Sequence, residues 1–179
     1  MGQGQALIVV DMQRGFLEAG NPLFCGAPAQ RIIGPISRLI AEELQKETAL
    51  FFSADTHEPD DEEFKIFPPH CIRGDKQTEI IPELAGYLPQ ATLIEKHRYS
   101  AFFDTDLEKQ LQENDIDRLI VCGVCTDICV LHTVADARNR DYQVTVVENC
   151  VSSFDTEAHE FALQHMGRIL GARILKRNP

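Results

Sequence analysis

Arg118-Leu119-Ile120-Val121-Cys122-Gly123-Val124-Cys125-Thr126-Asp127-Ile128-Cys129 starts as an apolar, partly β-branched run, passes through a glycine and ends in polar residues. A short apolar run closed by a turn residue reads as a buried strand. The next stretch, Thr126 to Arg140, has helical period, with Thr126 placed to serve as its N-cap. The same strand-to-helix unit recurs outward in both directions. Further strands are expected at Ala6 to Asp11, Ala49 to Asp55, Thr92 to Lys96, Gln143 to Glu148 and Ala172 to Leu175. Helices are expected at Arg31 to Glu43, which puts Ile32, Ile33, Ile36, Leu39 and Ile40 on one side, and at Asp104 to Glu113, with Leu107 and Leu111 four apart. A last helix should run from Asp155, as N-cap, to Leu170. Strands alternating with amphipathic helices predict one α/β domain over 1–179, a three-layer α/β/α sandwich around a central, mostly parallel six-stranded sheet. Segment 56–90 breaks the pattern. It is rich in Pro, Asp, Glu and His without a sustained period, and should be a long functional loop.

Composition narrows the function from outside. Of 179 residues, 44% are hydrophobic and 25% charged, so the chain can bury a core and disorder is excluded for most of it. Seventeen Lys and Arg stand against 28 Asp and Glu, a net charge of −11 that repels nucleic acid and anionic membrane surfaces. Apolar runs such as Ala6 to Val10 are far shorter than the roughly 20 residues that span a bilayer. Met1 to Gln5 carries no basic leader, so a soluble cytoplasmic protein is expected. A chain of this size needs no disulfide staples, and its six cysteines should be reduced thiols.

In open parallel sheets ligands bind beyond the carboxyl ends of the strands. Four strand ends carry chemistry there: Asp11, Asp55 with His57, Lys96, and the Cys125-to-Cys129 segment. A single strand-terminal Asp is commonly a turn or cap residue, and a single Lys a solvated charge. Packing, however, predicts no particular convergence of acid, ammonium and thiol. With Thr126 as N-cap, Cys129 is the third helical residue, where unpaired N–H groups, the helix dipole and a nearby Lys96 should lower the thiol pKa. Asp11 could take its proton and backbone N–H groups around 125–129 could hold an oxyanion, which makes an acyl-transfer site. A buried helix cysteine is the bland alternative. Cys122-x-x-Cys125 is read as coincidence, because Cys122 lies inside a strand and no second such pair exists. Asp55, His57 and His70, with Glu62 or Glu63, supply carboxylate and imidazole ligands suited to Zn²⁺, Mn²⁺ or Fe²⁺. Pro68 and Pro69 fix the approach to His70.

Taken together, Asp11-Met12-Gln13-Arg14-Gly15-Phe16, Asp55-Thr56-His57, Phe67-Pro68-Pro69-His70, Lys96-x-x-Tyr99-Ser100-Ala101-Phe102 and Gly123-Val124-Cys125-Thr126-Asp127-Ile128-Cys129-Val130 resemble the isochorismatase-like cysteine hydrolases, and within them the nicotinamidases. The resemblance implies a catalytic triad of Asp11, Lys96 and Cys129. It implies a cis peptide between residues 124 and 125, with the N–H groups of Cys125 and Cys129 forming the oxyanion hole. Cys125 stands where such proteins usually carry a small residue such as Ala. Asp55, His57 and His70 are implied as ligands of one divalent metal ion, Zn²⁺ first and Mn²⁺ or Fe²⁺ as alternatives, with Glu63 as the acidic fourth ligand. Phe16 and Phe67, with Tyr99, are implied to contact the substrate ring. The activity implied is hydrolysis of nicotinamide to nicotinate and ammonia through a thioester, serving NAD salvage. A related hydrolase acting on another small amide or a carbamoyl group is the alternative. Expected partners are a small-molecule substrate and further copies of the chain.

Overall fold

A computed structural model describes residues 4–176. The extreme termini, and with them the Met1-Gly2-Gln3 part of the leader argument, lie outside the described residues. In chain order the elements are β1 (Gly4–Val10), α1 (Arg14–Leu17), α2 (Gly26–Arg31), α3 (Ile33–Leu44), β2 (Ala49–Asp55), α4 (Pro82–Ala85) and β3 (Ala91–Lys96). There follow α5 (Leu107–Glu113), β4 (Ile116–Val124), α6 (Leu131–Asn139), β5 (Gln143–Ser152), α7 (Thr156–Arg168) and β6 (Arg173–Leu175). The six strands form one sheet in the order β3-β2-β1-β4-β5-β6, and every neighbouring pair is parallel. None of the described helices is long and apolar enough to cross a membrane.

Strand periodicity explains the two cores. Along β1, Ala6, Ile8 and Val10 face a cluster with Leu107, Leu111, Val134 and Met166 from α5, α6 and α7. Leu7 and Val9 face the other side, where Ile36, Leu39 and Ile40 of α3 and Leu84 of α4 pack. A sheet covered on both faces needs near-continuous apolar strands, and the apolar runs of the sequence meet that need.

The strand order matters for function because the chain runs outward through β2 and β3, then returns to the other side of β1 as β4. The crevice between the carboxyl ends of β1 and β4 is therefore a topological switch point, the preferred ligand position in such folds. Gly123 permits the close approach there. It pairs in register with Val10 at φ +113°, and a Cβ added to it would lie 2.0 Å from the Val10 carbonyl oxygen.

Several boundaries differ from expectation. The helix expected over 31–43 is α3, preceded by a short helix α2 that was not expected, and Glu43 is buried among hydrogen bonds from Gln5 and Thr48. The helix expected from Asp104 begins at Leu107, because Asp104 adopts φ +52°. Asp155 caps α7 as expected, accepting from the Ala158 N–H at 3.0 Å. Thr126 caps nothing. Cys125 precedes the turn, and the Thr126 hydroxyl is instead engaged with His159 Nδ1 at 2.8 Å. The Thr126–Val130 segment is one turn of π-helix ahead of α6, with the Val130 N–H donating to the Cys125 carbonyl at 3.1 Å. Segment 56–90 is irregular but ordered by short 3₁₀ turns at Glu62–Lys65, Lys76–Thr78 and Leu88–Gln90 and by α4.

Candidate active site

Strand ends deliver the residues. Asp11 follows β1 at φ +50°, its N–H bonded to the Ser53 carbonyl and its Oδ1 accepting from the Ser53 hydroxyl at 2.7 Å. Lys96 ends β3 in register with Asp55, which ends β2. Its ammonium is almost fully buried and lies 2.8 Å from Asp11 Oδ2, 3.1 Å from Asp55 Oδ1 and 3.6 Å from Cys129 Sγ. A buried ammonium is costly unless it is paired, and here two carboxylates hold it. Burial alone would lower its pKa, yet the charges of Asp11 and Asp55 outweigh it and keep Lys96 protonated.

The second oxygen of Asp55 faces the irregular segment. Its Oδ2 lies 2.9 Å from His57 Nε2 and 3.2 Å from His70 Nε2. Burial works to raise the Asp55 pKa, but the charge of Lys96 and the bonds from both histidines hold it below the usual carboxylate range. Asp55 is fixed from behind by Gln13, whose side chain accepts from the Asp55 N–H at 2.7 Å and donates to its carbonyl at 2.9 Å. One carboxylate thus joins the lysine and thiol to a pair of imidazoles.

The donor set fits a divalent cation on its own chemistry. His57 Nδ1 lies 3.0 Å from Asp61 Oδ2, and His70 Nδ1 lies 2.8 Å from the Pro68 carbonyl. Both partners only accept, so each Nδ1 carries a proton, and an Nε2 without one turns a lone pair toward Asp55. Two lone pairs and a carboxylate oxygen meeting in a buried space call for a proton or a metal. Ligand atoms of Asp55, His57 and His70 all lie within 4.8 Å of one another. Glu63 Oε1 is 4.0 Å from His70 Nε2, and its buried Oε2 has no hydrogen-bond partner among the described residues. Glu62 points away, its side chain 73% exposed and paired with Lys65, so of the two acids it is Glu63 that turns toward the cluster. Burial works against a charged His57, but the bond and charge of Asp55, then Asp61 and Glu63, push its pKa up to about 9 in the metal-free state.

The thiol departs from the sequence reading. Burial raises the Cys129 pKa well above its ordinary value; Lys96 lowers it, but Asp11 and Asp55 add to the burial effect. The lowering expected from Lys96 is present, but burial outweighs it and the net direction is upward. Asp11 is complementary. Burial raises its pKa against the pull of Lys96, whose ammonium is ion-paired with Oδ2.

Over these groups lies a small cavity of about 40 Å³, lined by Asp11, Cys129, Asp55, Glu63 and His70. Phe16, Phe67 and Tyr99 line it together with Leu23, Cys25, Ile128 and Phe154. Phe67 stands edge-on to both His70 and Tyr99, at centroid distances of 6.4 and 6.5 Å. The Val124–Cys125 peptide is cis, and the Cys125 N–H is engaged in no backbone hydrogen bond among the described residues. Cys122 is buried in β4, and the sulfur next to Cys125 is that of Cys25, at 3.2 Å.

The isochorismatase domain model matches residues 5–176. The chain belongs to the isochorismatase family. Among solved structures, the pyrazinamidase/nicotinamidase of Streptococcus mutans UA159 superposes with a TM-score of 0.92 at 38% identity, over 96% of this chain and all of that one. The N-carbamoylsarcosine amidase of Thermoplasma acidophilum gives 0.87 at 33% identity, covering 97% and 96%. The pyrazinamidase of Pyrococcus horikoshii in complex with zinc gives 0.87 at 30%, covering 97% and 99%.

Of the polar residues outside the expected set, Asp61 and Arg98 matter most. Asp61 orients His57, accepts from the Glu63 N–H at 2.8 Å and is held by Arg98 at 2.8 and 3.0 Å. Burial raises the Asp61 pKa, but the bonds from Glu63, His57 and Arg98 bring it down to about 2. Where the sequence offered Glu62 or Glu63 as one inward acid, the structure turns in both Glu63 and Asp61.

Proposed function

We propose that this family member is a metal-dependent cysteine amidohydrolase that converts nicotinamide to nicotinate and ammonia, acting as a single domain over 1–179. The observation that carries the proposal is the buried Lys96 ammonium, within 3.6 Å of Cys129 and in contact with both Asp11 and Asp55, so that nucleophile, base and ligand cluster share one cavity. The similarity to a nicotinamidase at 38% identity supports the same substrate.

In this reading Asp11 accepts the Cys129 proton as Sγ bonds to the carboxamide carbon. Because the thiol pKa is raised and that of Asp11 is raised too, proton transfer accompanies attack and no resting thiolate is needed. The N–H groups of Cys125 and Cys129 hold the oxyanion, and Lys96 keeps its charge beside both acids. Asp11 returns the proton to the departing ammonia as the C–N bond breaks, leaving a thioester on Cys129. Asp11 then takes a proton from water, whose oxygen attacks the thioester; Cys129 leaves and recovers its proton. Phe16, Phe67 and Tyr99 hold a flat ring over the thiol. A divalent metal held by Asp55, His57, His70 and Glu63 would supply a Lewis-acidic anchor for the ring nitrogen, fixing the carboxamide by orientation. Production of nicotinate places the activity in pyridine nucleotide salvage.

The acid-rich base disfavours a dicarboxylate such as isochorismate, since the Lys96 charge is already neutralised by Asp11 and Asp55. The test is ammonia release from nicotinamide, pyrazinamide and an N-carbamoyl amino acid, before and after chelation and with Zn²⁺, Mn²⁺ or Fe²⁺ restored. Hydrolysis of nicotinamide that falls on chelation and returns with metal supports the proposal. Preference for the carbamoyl compound would replace it with the alternative.

A further inference from the structure

Cys25 and Cys125 are 100 residues apart in sequence, yet their sulfurs stand 3.2 Å apart in the cavity wall. Both are free thiols, and both are almost fully buried against protein. That separation is inside ordinary sulfur contact and about 1.2 Å longer than a disulfide bond. Neither thiol has a place in the hydrolytic scheme, which uses the N–H of residue 125 and not its sulfur. Cys25 sits at the start of α2, where its N–H is bonded to the Phe16 carbonyl at 2.9 Å. Cys125 ends the approach to the nucleophile's turn, its carbonyl accepting from the Ile128 and Val130 N–H groups, both at 3.1 Å. The pair therefore spans from the segment that carries Phe16 to the segment that carries Cys129.

We infer that Cys25 and Cys125 form a reversible disulfide in response to peroxide, and that this bond is an oxidative off-state of the cavity. Peroxide enters through the cavity that both sulfurs line. One thiol attacks it: the O–O bond breaks, an S–OH forms and water leaves. The second thiol then displaces hydroxide from the sulfenic sulfur, the S–S bond forms, and a second water is released with its proton. Peroxide gains two electrons, one from each sulfur. Closing the gap draws residue 125 toward α2, displacing backbone that touches the nucleophile's turn, and displacements on the order of 1 Å in such a constellation can cost about 100-fold in rate. This rate effect rests on the proposed hydrolytic reading, whereas the bond itself does not.

The experiment treats reduced protein with hydrogen peroxide, blocks remaining thiols with iodoacetamide and maps the link by tandem mass spectrometry. Cys25 lies on the tryptic peptide 15–31, and 119–138 carries Cys122, Cys125 and Cys129, so fragmentation within that peptide must place the bond. Cys129→Ala is mapped alongside, which removes oxidation of the nucleophile. The inference expects a Cys25–Cys125 link in both proteins. It also expects at least a tenfold loss of ammonia release from nicotinamide in the unsubstituted protein, reversed by dithiothreitol. Cys25→Ser should resist that reversible loss, measured as the ratio of treated to untreated activity in the same variant. Both peptides alkylated at Cys25 and Cys125 after treatment, or a link from Cys125 to Cys122 or Cys129, would overturn the site. A correct link with unchanged turnover would overturn the off-state. Absence of any activity before treatment would count against the hydrolytic proposal and leave the mapping intact.

Discussion

Asp61 ligates nothing, yet replacing it with Ala should weaken metal binding about 100-fold. Two effects add. His57 loses the acceptor 3.0 Å from Nδ1 that fixes its tautomer and ring angle, and removing such a partner of a ligating histidine typically costs about 10- to 100-fold in affinity. The Glu63 N–H also loses its 2.8 Å acceptor at the start of the 62–65 turn. Loss of a comparable cap costs roughly 0.5 to 2 kcal/mol, and part of that appears as looser placement of Glu63. Taking about 30-fold, roughly 2 kcal/mol, for the first effect and about 0.7 kcal/mol for the share of the cap that reaches Glu63, the total is about 2.7 kcal/mol of binding free energy. The assay is Zn²⁺ titration against a chromophoric chelator near neutral pH, with Glu62→Ala as an exposed neighbour that should leave affinity unchanged. Affinity of Asp61→Ala within about twofold of the parent, with His57→Ala strongly impaired, would refute the argument.

Other consequences can be checked separately. Lys96→Ala leaves Asp11 and Asp55 facing each other without a cation, so it should destabilise the fold by roughly 3 to 5 kcal/mol in urea unfolding. In whatever fraction stays folded, Cys129 should react more slowly with iodoacetamide, and an unchanged pH profile would contradict this. Gly123→Ala would press a methyl group onto the Val10 carbonyl at 2.0 Å, between two paired strands that cannot separate. A loss of at least about 4 kcal/mol is expected, and a normal melting curve would contradict it. In metal-stripped protein the His57 pKa, raised to about 9 from 6.5, makes a stabilising contribution that is complete below the lower value and lost as pH rises through the higher. Unfolding free energy should therefore fall across that window, and a rise would contradict the assignment.

Strands were legible because a sheet covered on both faces writes itself as apolar runs, and the polar residues ending those runs form the candidate site. Asp11, Asp55, Lys96 and Cys129 could be found that way, since parallel strands bring their carboxyl ends to one edge whatever the loops do. Three things were hidden. Thr126 fails as a cap because its hydroxyl bonds a histidine 33 residues later, a tertiary choice with no local trace. The thiol pKa runs opposite to expectation because helix position and neighbouring charge can be read from spacing, whereas complete burial cannot. Cys25 and Asp61 lie in segments without periodicity, where nothing in the sequence says which polar groups turn inward.

The most direct measurement is ammonia release from nicotinamide by metal-loaded protein, set against Cys129→Ala and Cys125→Ala. If Cys129 is the nucleophile and only the backbone of residue 125 is used, Cys129→Ala abolishes release while Cys125→Ala stays within about tenfold of the parent, since it keeps its N–H donor. Turnover surviving in Cys129→Ala, or lost only in Cys125→Ala, would contradict the account at its centre.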